Sequence, residues 1–121
     1  MKVSEYIEKV NNSNKLGNTS EHSFRGDLQQ LLKTLLPNLS VTNEPMNIEY
    51  GIPNYIISEE GLLIAYIKTT DIGTDLNELD ATEEVRRYKS SLSNMITTNY
   101  IDFRWYKDGE FITSVSLKSG L

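Results

Sequence analysis

The side chains able to do chemistry in this chain are mostly oxygen ligands and cations. There is no cysteine and a single histidine, His22. That excludes disulfides, thiolate metal sites and a histidine-rich zinc centre. Carboxylates remain, which suit a hard divalent cation, together with Lys and Arg, which suit phosphate. Three acids, Glu44, Glu49 and Asp71, fall within or close to "YGIPNYIISEEGLLIAYIKTTD", residues 50–71. Inside that stretch the polar residues Asn54, Lys68 and Thr70 interrupt two apolar runs. Strand alternation points Lys68 and Thr70 to one face and Asp71 to the other. Further on, Arg86, Arg87 and Lys89 surround Tyr88 and are candidate phosphate contacts, with a solvated helix face as the simpler reading. His22 sits at a helix start and reads as a surface or capping residue. Trp105, close to Phe103 and Tyr106, reads as core strand packing rather than a base-stacking platform.

These residues need elements to position them. Val3, Tyr6, Ile7 and Val10 share one side of a short helix over 2–10, and "NNSNKLGN" (11–18) reads as a linker. Phe24, Leu28, Leu31, Leu32, Leu35 and Leu36 form the apolar stripe of a second helix. Thr19 or Ser20 caps it, Pro37 stops it, and Gly26 is a mild flaw within it. Strands follow at 39–45, 54–58 and 62–69, with Glu59, Glu60 and Gly61 as a tight hairpin turn. The third run is almost continuously apolar, as expected for a strand buried on both faces. Residues 71–80 read as loop and 81–94 as a helix with Val85, Tyr88 and Leu92 inward. Strands at 95–98, 102–107 and 110–117 complete the chain, the last two joined at Asp108-Gly109. About 26 residues separate the third and fourth strands, enough for a helical crossover to a parallel neighbour.

With 121 residues the chain makes one domain of modest core. No apolar run approaches a membrane span, and the N-terminus is too polar for a signal peptide, so a cytoplasmic protein is expected. The formal charge is −5, unlike a typical free-standing DNA binder. The imbalance lies in residues 1–80, with 12 acids against 6 bases; residues 81–121 carry 5 acids against 6 bases. A DNA or acidic partner would favour the second half.

The stretches "SEHSFRGDLQQLL", "GIPNYII", "AYIKTTDIGTDLNE" and above all "RYKSSLSNMITTNYIDFRWYKDGE" resemble the PD-(D/E)XK nuclease superfamily. They are most similar to the N-terminal nuclease domain of bacterial restriction–modification enzymes fused to an adenine-specific DNA methyltransferase. The resemblance spans about residues 19–110. It implies an α/β (α+β) restriction-endonuclease-like core ordered helix-strand-strand-strand-helix-strand, with a mixed central sheet flanked by helices. Residues 1–18 then form an N-terminal helix and linker, and 19–121 the domain.

The family hairpin carries a pattern like G-x-P-D-[FY] followed by Y-I-E-x-K. There two carboxylates hold Mg²⁺ beside the scissile phosphate, and a lysine stabilises charge or positions water. In this chain the aspartate position holds Asn54, the glutamate position Lys68 and the lysine position Thr70. A glutamine of the following helix falls at Glu84, while Glu21 matches a supporting acid. The expectation is a vestigial site with no cofactor, Mg²⁺ entering only if Glu49 or Asp71 rebuilds it. The implied role is a binding or assembly module for DNA or protein, paired with a larger methyltransferase or restriction polypeptide, or a homodimer. The alternatives are a stand-alone acidic interaction protein that regulates a partner, or an Mg-dependent endonuclease with a rearranged site.

Overall fold

The computed structural model describes residues 2–15, 21–43, 54–72 and 74–117, with the backbone alone at 13–15, 21–25, 43 and 91. In chain order the elements are α1 (Val3–Lys15), α2 (Glu21–Leu35), β1 (Ser40–Asn43), β2 (Tyr55–Glu59) and β3 (Leu62–Thr69). They continue with α3 (Leu76–Asp80), α4 (Glu83–Ser91), β4 (Asn94–Thr98), β5 (Asp102–Lys107) and β6 (Glu110–Ser116). The six strands form one sheet in the order β1-β2-β3-β4-β5-β6. Every pairing is antiparallel except β3–β4, which is parallel, as the long crossover permits.

Two apolar clusters cover opposite faces of the sheet. Tyr6 and Val10 of α1 and Leu28 and Leu31 of α2 pack on Val41, Tyr55, Ile57, Ala65, Ile67 and Tyr100. Leu76 and Leu79 of α3 and Val85 and Tyr88 of α4 pack on Tyr66, Met95 and Tyr106. Alternation in β3 separates them, since Ala65 and Ile67 belong to the first and Tyr66 to the second. The result is a three-layer α/β/α arrangement. Among the described residues, no helix is long and apolar enough to cross a membrane.

Local chemistry explains the turns. Glu60 (φ 49°) with Gly61 (φ 82°), and Asp108 (φ 51°) with Gly109 (φ 85°), both take the left-handed pair of conformations that a two-residue hairpin demands. At Gly109 a Cβ would also come within 3.3 Å of the Lys89 carbonyl oxygen. The β4–β5 corner is held by Asn99, whose Oδ1 accepts from the backbone N–H groups of Ile101 (3.1 Å) and Asp102 (2.7 Å). Tyr100 sits buried at that corner, its carbonyl accepting from the Tyr6 hydroxyl at 2.7 Å.

Four sequence expectations are corrected. The first helix runs on to Lys15 through the polar "NNSN" stretch, because Tyr6 and Val10 anchor it in the core and packing outweighs weak intrinsic propensity. Residues 76–80, read as loop, form α3: Asp75 caps it by accepting from the Asn77 N–H at 2.8 Å, and Leu76 and Leu79 are buried. β3 is buried toward its C-terminal end only; Leu62, Leu63 and Ile64 are exposed at the hairpin tip. Trp105 is exposed, its Nε1 donating to Asn94 Oδ1 at 3.0 Å, because none of the described helices covers that part of the sheet.

Burial gives the fold an alkaline limit. The hydroxyls of Tyr6, Tyr88 and Tyr106 all titrate above the usual tyrosine value, burial being the main cause in each. Neighbouring Asp80 adds to the effect at Tyr106, which is pushed up to about 12. The unfolded chain therefore releases these protons near pH 10, before the native state does, so stability must fall as pH rises above 10. Tyrosinate absorbance should rise in two stages, the second coinciding with loss of circular dichroism. A single unperturbed step near pH 10 with the fold intact contradicts this.

Candidate functional site

Asn54, Lys68, Thr70 and Glu84, four of the five residues singled out by the resemblance, lie where β3 ends beside the first turn of α4. Asn54 lies just before β2 and is buried. Its N–H donates to the Ile67 carbonyl (3.0 Å), and its Oδ1 accepts from the Thr69 N–H (2.7 Å). The side-chain oxygen is thereby tied to the backbone of the neighbouring strand. Thr70, one residue past β3, donates its N–H to the Thr98 carbonyl at 3.0 Å and prolongs the parallel pairing with β4.

Lys68 and Glu84 face each other. Lys68 Nζ lies 2.8 Å from Glu84 Oε1, with the two side chains 22% and 31% exposed. Glu84 stands in the first turn of α4, whose cap is Thr82: its Oγ1 accepts from the Val85 N–H at 3.3 Å. The helix N-terminus and the ammonium both favour the carboxylate there. A cation thus fills the volume beside β3, on the same face as Tyr66, and an acid from the helix closes over it.

The sheet register extends this row. Lys68 is beside Thr97 of β4, and Thr97 beside Arg104 of β5. Arg104 makes the matching contact on the far side, its Nη1 3.0 Å from Asp80 Oδ2 and 2.9 Å from Asn77 Oδ1. The Tyr106 hydroxyl donates to the same Asp80 oxygen. Burial acts to lower the Arg104 pKa, but the bonds to Asp80 and Tyr106 outweigh it and hold it above its ordinary value. Two cations on the sheet, Lys68 and Arg104, are therefore bound by two acids on the helical layer, Glu84 and Asp80. Sequence reasoning placed Lys68 and Glu84 at one site but missed that they pair. The available signal was that, on the resemblance, an acid position holds the cation Lys68 while a glutamine position holds the acid Glu84. Asp80 was missed altogether, having been read into a loop.

The other candidates are scattered. Arg86 and Arg87 are exposed on α4, which suits either a solvated face or a phosphate contact. Lys89 Nζ lies 4.4 Å from the centre of the Tyr106 ring, a cation–π contact that draws it toward β5. Asp71 is exposed just past β3, and its carbonyl accepts from the Thr74 N–H at 3.1 Å. Glu44 and Glu49 lie outside the described residues, and Glu21 and His22 are described only by their place in the first turn of α2. Among the described residues, no three acids or histidines stand close enough to share a metal ion.

An antiparallel hairpin, a helical crossover to a parallel neighbour and helices on both faces make the mixed-sheet α/β arrangement that the sequence resemblance implies. A solved structure agrees. A chain in the cryo-electron microscopy structure of a DrdV–DNA complex superposes with a TM-score of 0.78 at 19% identity, covering 95% of this chain and 12% of that one. At such low identity the likeness is one of fold, and the chain spans about an eighth of that protein's length. No protein-family model matches the chain, and no curated protein matches it.

Proposed function

We propose that this chain is a non-cleaving restriction-endonuclease-like domain that serves as a binding or assembly module, with DNA as its candidate ligand. The observation that carries the reading is the 2.8 Å ion pair between Lys68 and Glu84. A two-metal or one-metal nuclease needs converging carboxylates at this place. Here an ammonium occupies it and repels a divalent cation, while Asn54 spends its side-chain oxygen on the Thr69 N–H. Thr70 brings no positive charge to a scissile phosphate. Fold does not dictate function, so a scaffold of this kind can persist for what it binds.

DNA as the ligand is supported by the neighbour's title, which names a DNA complex, and by exposed Arg86 and Arg87 on α4. Lys89 lies one turn from Arg86. The domain's restriction–modification setting, with a larger methyltransferase or restriction polypeptide as partner, belongs to the same proposal and rests on the sequence resemblance.

The test is incubation with plasmid DNA in Mg²⁺ or Mn²⁺, run beside DNA binding over a range of salt. No nicking or linearisation is expected. Binding should weaken steeply with salt, and the Arg86→Ala/Arg87→Ala variant should reduce the slope by about two. Cleavage by the unmodified chain that is lost in Asp71→Ala or Glu49→Ala sinks the non-cleaving reading. DNA binding that ignores salt and both arginines removes DNA as the ligand.

A further inference from the structure

The two ends of the sheet differ. β1 has four residues and lies against α2, with Gln29 Nε2 donating to the Val41 carbonyl at 3.2 Å. β6 ends the other side with seven residues, every one of them exposed. It carries a single charge, Glu110, at its start. Phe111 is 57% exposed, Ile112 45% and Val115 54%, and Trp105 on adjacent β5 is 36% exposed. Natural sheets blunt such edges with lysine, proline or a covering element; β6 carries no lysine or proline, and among the described residues no element covers it. The one irregularity, a register shift at Trp105/Tyr106, lies near its start and leaves Thr113 onward in regular register.

The register also fixes which way β6 faces. Val115 is beside Phe103, Ser114 beside Arg104 and Thr113 beside Trp105. Phe103 packs toward the α1–α2 core and Arg104 reaches α3. Thr113 and Val115 therefore share the α1–α2 side of the sheet with Trp105, and Ser114 lies on the other side.

We propose that β6 pairs antiparallel with β6 of a second copy of this chain, about a two-fold axis through Ser114. That register sets Thr113 beside the partner's Val115 and Val115 beside the partner's Thr113. Both residues of each pair lie on one face, as directly opposed residues must, and both are β-branched. Residues 111–115 hold no charge, so the axis brings no like charges together although each chain carries −5. The exposed parts of Ile112 and Val115, with the paired backbone, would bury on the order of several hundred Å² over both copies, the size of a weak, concentration-dependent interface. A two-fold, self-complementary contact is also the commonest closed assembly. This inference is independent of how the Lys68–Glu84 site is read.

The experiment measures the mass of the full chain by sedimentation equilibrium over a wide concentration range. A concentration-dependent dimer is expected. Val115→Lys, at an exposed position, should weaken it by about tenfold or more while leaving circular dichroism, and thermal unfolding at concentrations too low for the dimer, unchanged. Because the chain has no cysteine, Ser114→Cys gives a direct reading of the axis. Under mild oxidation it should form a disulfide with its own copy, as opposed residues across an antiparallel pair come close enough to do. Thr42→Cys, exposed on β1 at the opposite edge, should form no such cross-link. A chain that remains a monomer at every concentration overturns the proposal. So does a dimer that Val115→Lys leaves intact, or one in which Ser114→Cys cross-links no better than Thr42→Cys.

Discussion

Replacing Lys68 by glutamate should lower the stability of this fold by about 2–3 kcal/mol, with urea unfolding followed by circular dichroism as the measurement. Lys68 Nζ and Glu84 Oε1 are 2.8 Å apart, and neither side chain is fully exposed. An attraction in partial burial is lost, and two carboxylates then stand where a pair stood. At 4 Å and an effective dielectric of about 20, two like charges repel by roughly 4 kcal/mol. The side chains are 22% and 31% exposed, so they can turn toward water and relieve part of that. The double variant Lys68→Glu/Glu84→Lys restores opposite charges and should recover most of the loss, giving a coupling of at least about 1.5 kcal/mol. Simple additivity of the two single substitutions would show that the ion pair contributes nothing. A further variant asks whether the metal site is latent. Asn54→Asp/Lys68→Glu places carboxylates at both hairpin positions, and millimolar Mg²⁺ should raise its unfolding midpoint while leaving the natural chain unmoved. This readout needs no catalysis.

The hairpin that frames this pair was legible in the residues themselves. Two β-rich apolar runs around Glu59-Glu60-Gly61 have one economical arrangement, and β3 occupies Leu62–Thr69, as read from the sequence. The length of the crossover likewise permitted the parallel β3–β4 pairing that the structure shows. What escaped was stabilised at long range or by a single local bond. α3 has only five residues, too few for an apolar period to show, and its start depends on one Asp75 cap. Trp105 is apolar and alternates correctly, yet alternation states only which face a residue takes. Whether a helix covers that face depends on where α1 and α2 come to rest. The partners of Arg104 lie 24 and 27 residues away, a separation to which no periodicity applies. Lys68 and Glu84 fall between these cases. The resemblance put both at one site, and the geometry added that they neutralise each other.

Replacing Asp80 by alanine should cost about 3 kcal/mol, comparable to the Lys68→Glu effect, for a different reason. Asp80 has a side chain only 9% exposed, and one of its oxygens, Oδ2, accepts from both Arg104 and Tyr106. Removing it leaves a guanidinium that is itself 25% exposed, together with the Tyr106 hydroxyl, short of their main acceptor. An uncompensated, mostly buried cation costs more than the pair contributes. Asp80→Asn separates charge from geometry: its carbonyl oxygen keeps the Oδ2 role, and the amide nitrogen takes the place of Oδ1, which is buried without a hydrogen-bond partner among the described residues. That variant keeps the acceptor but leaves Arg104 without its countercharge, so it should lose less than alanine does, about 2 kcal/mol. Arg104→Met added to Asp80→Ala should return part of the loss, because an apolar residue of similar length leaves no stranded charge. Each value comes from equilibrium urea unfolding. Equal losses for alanine and asparagine would mean that the negative charge, and not the acceptor, holds α3 to the sheet. The Tyr106 titration discriminates further: with Asp80 gone, its pKa should fall from about 12 toward the ordinary tyrosine value, though burial keeps it above. A Tyr106 that does not move on loss of Asp80 would place the cause in burial alone.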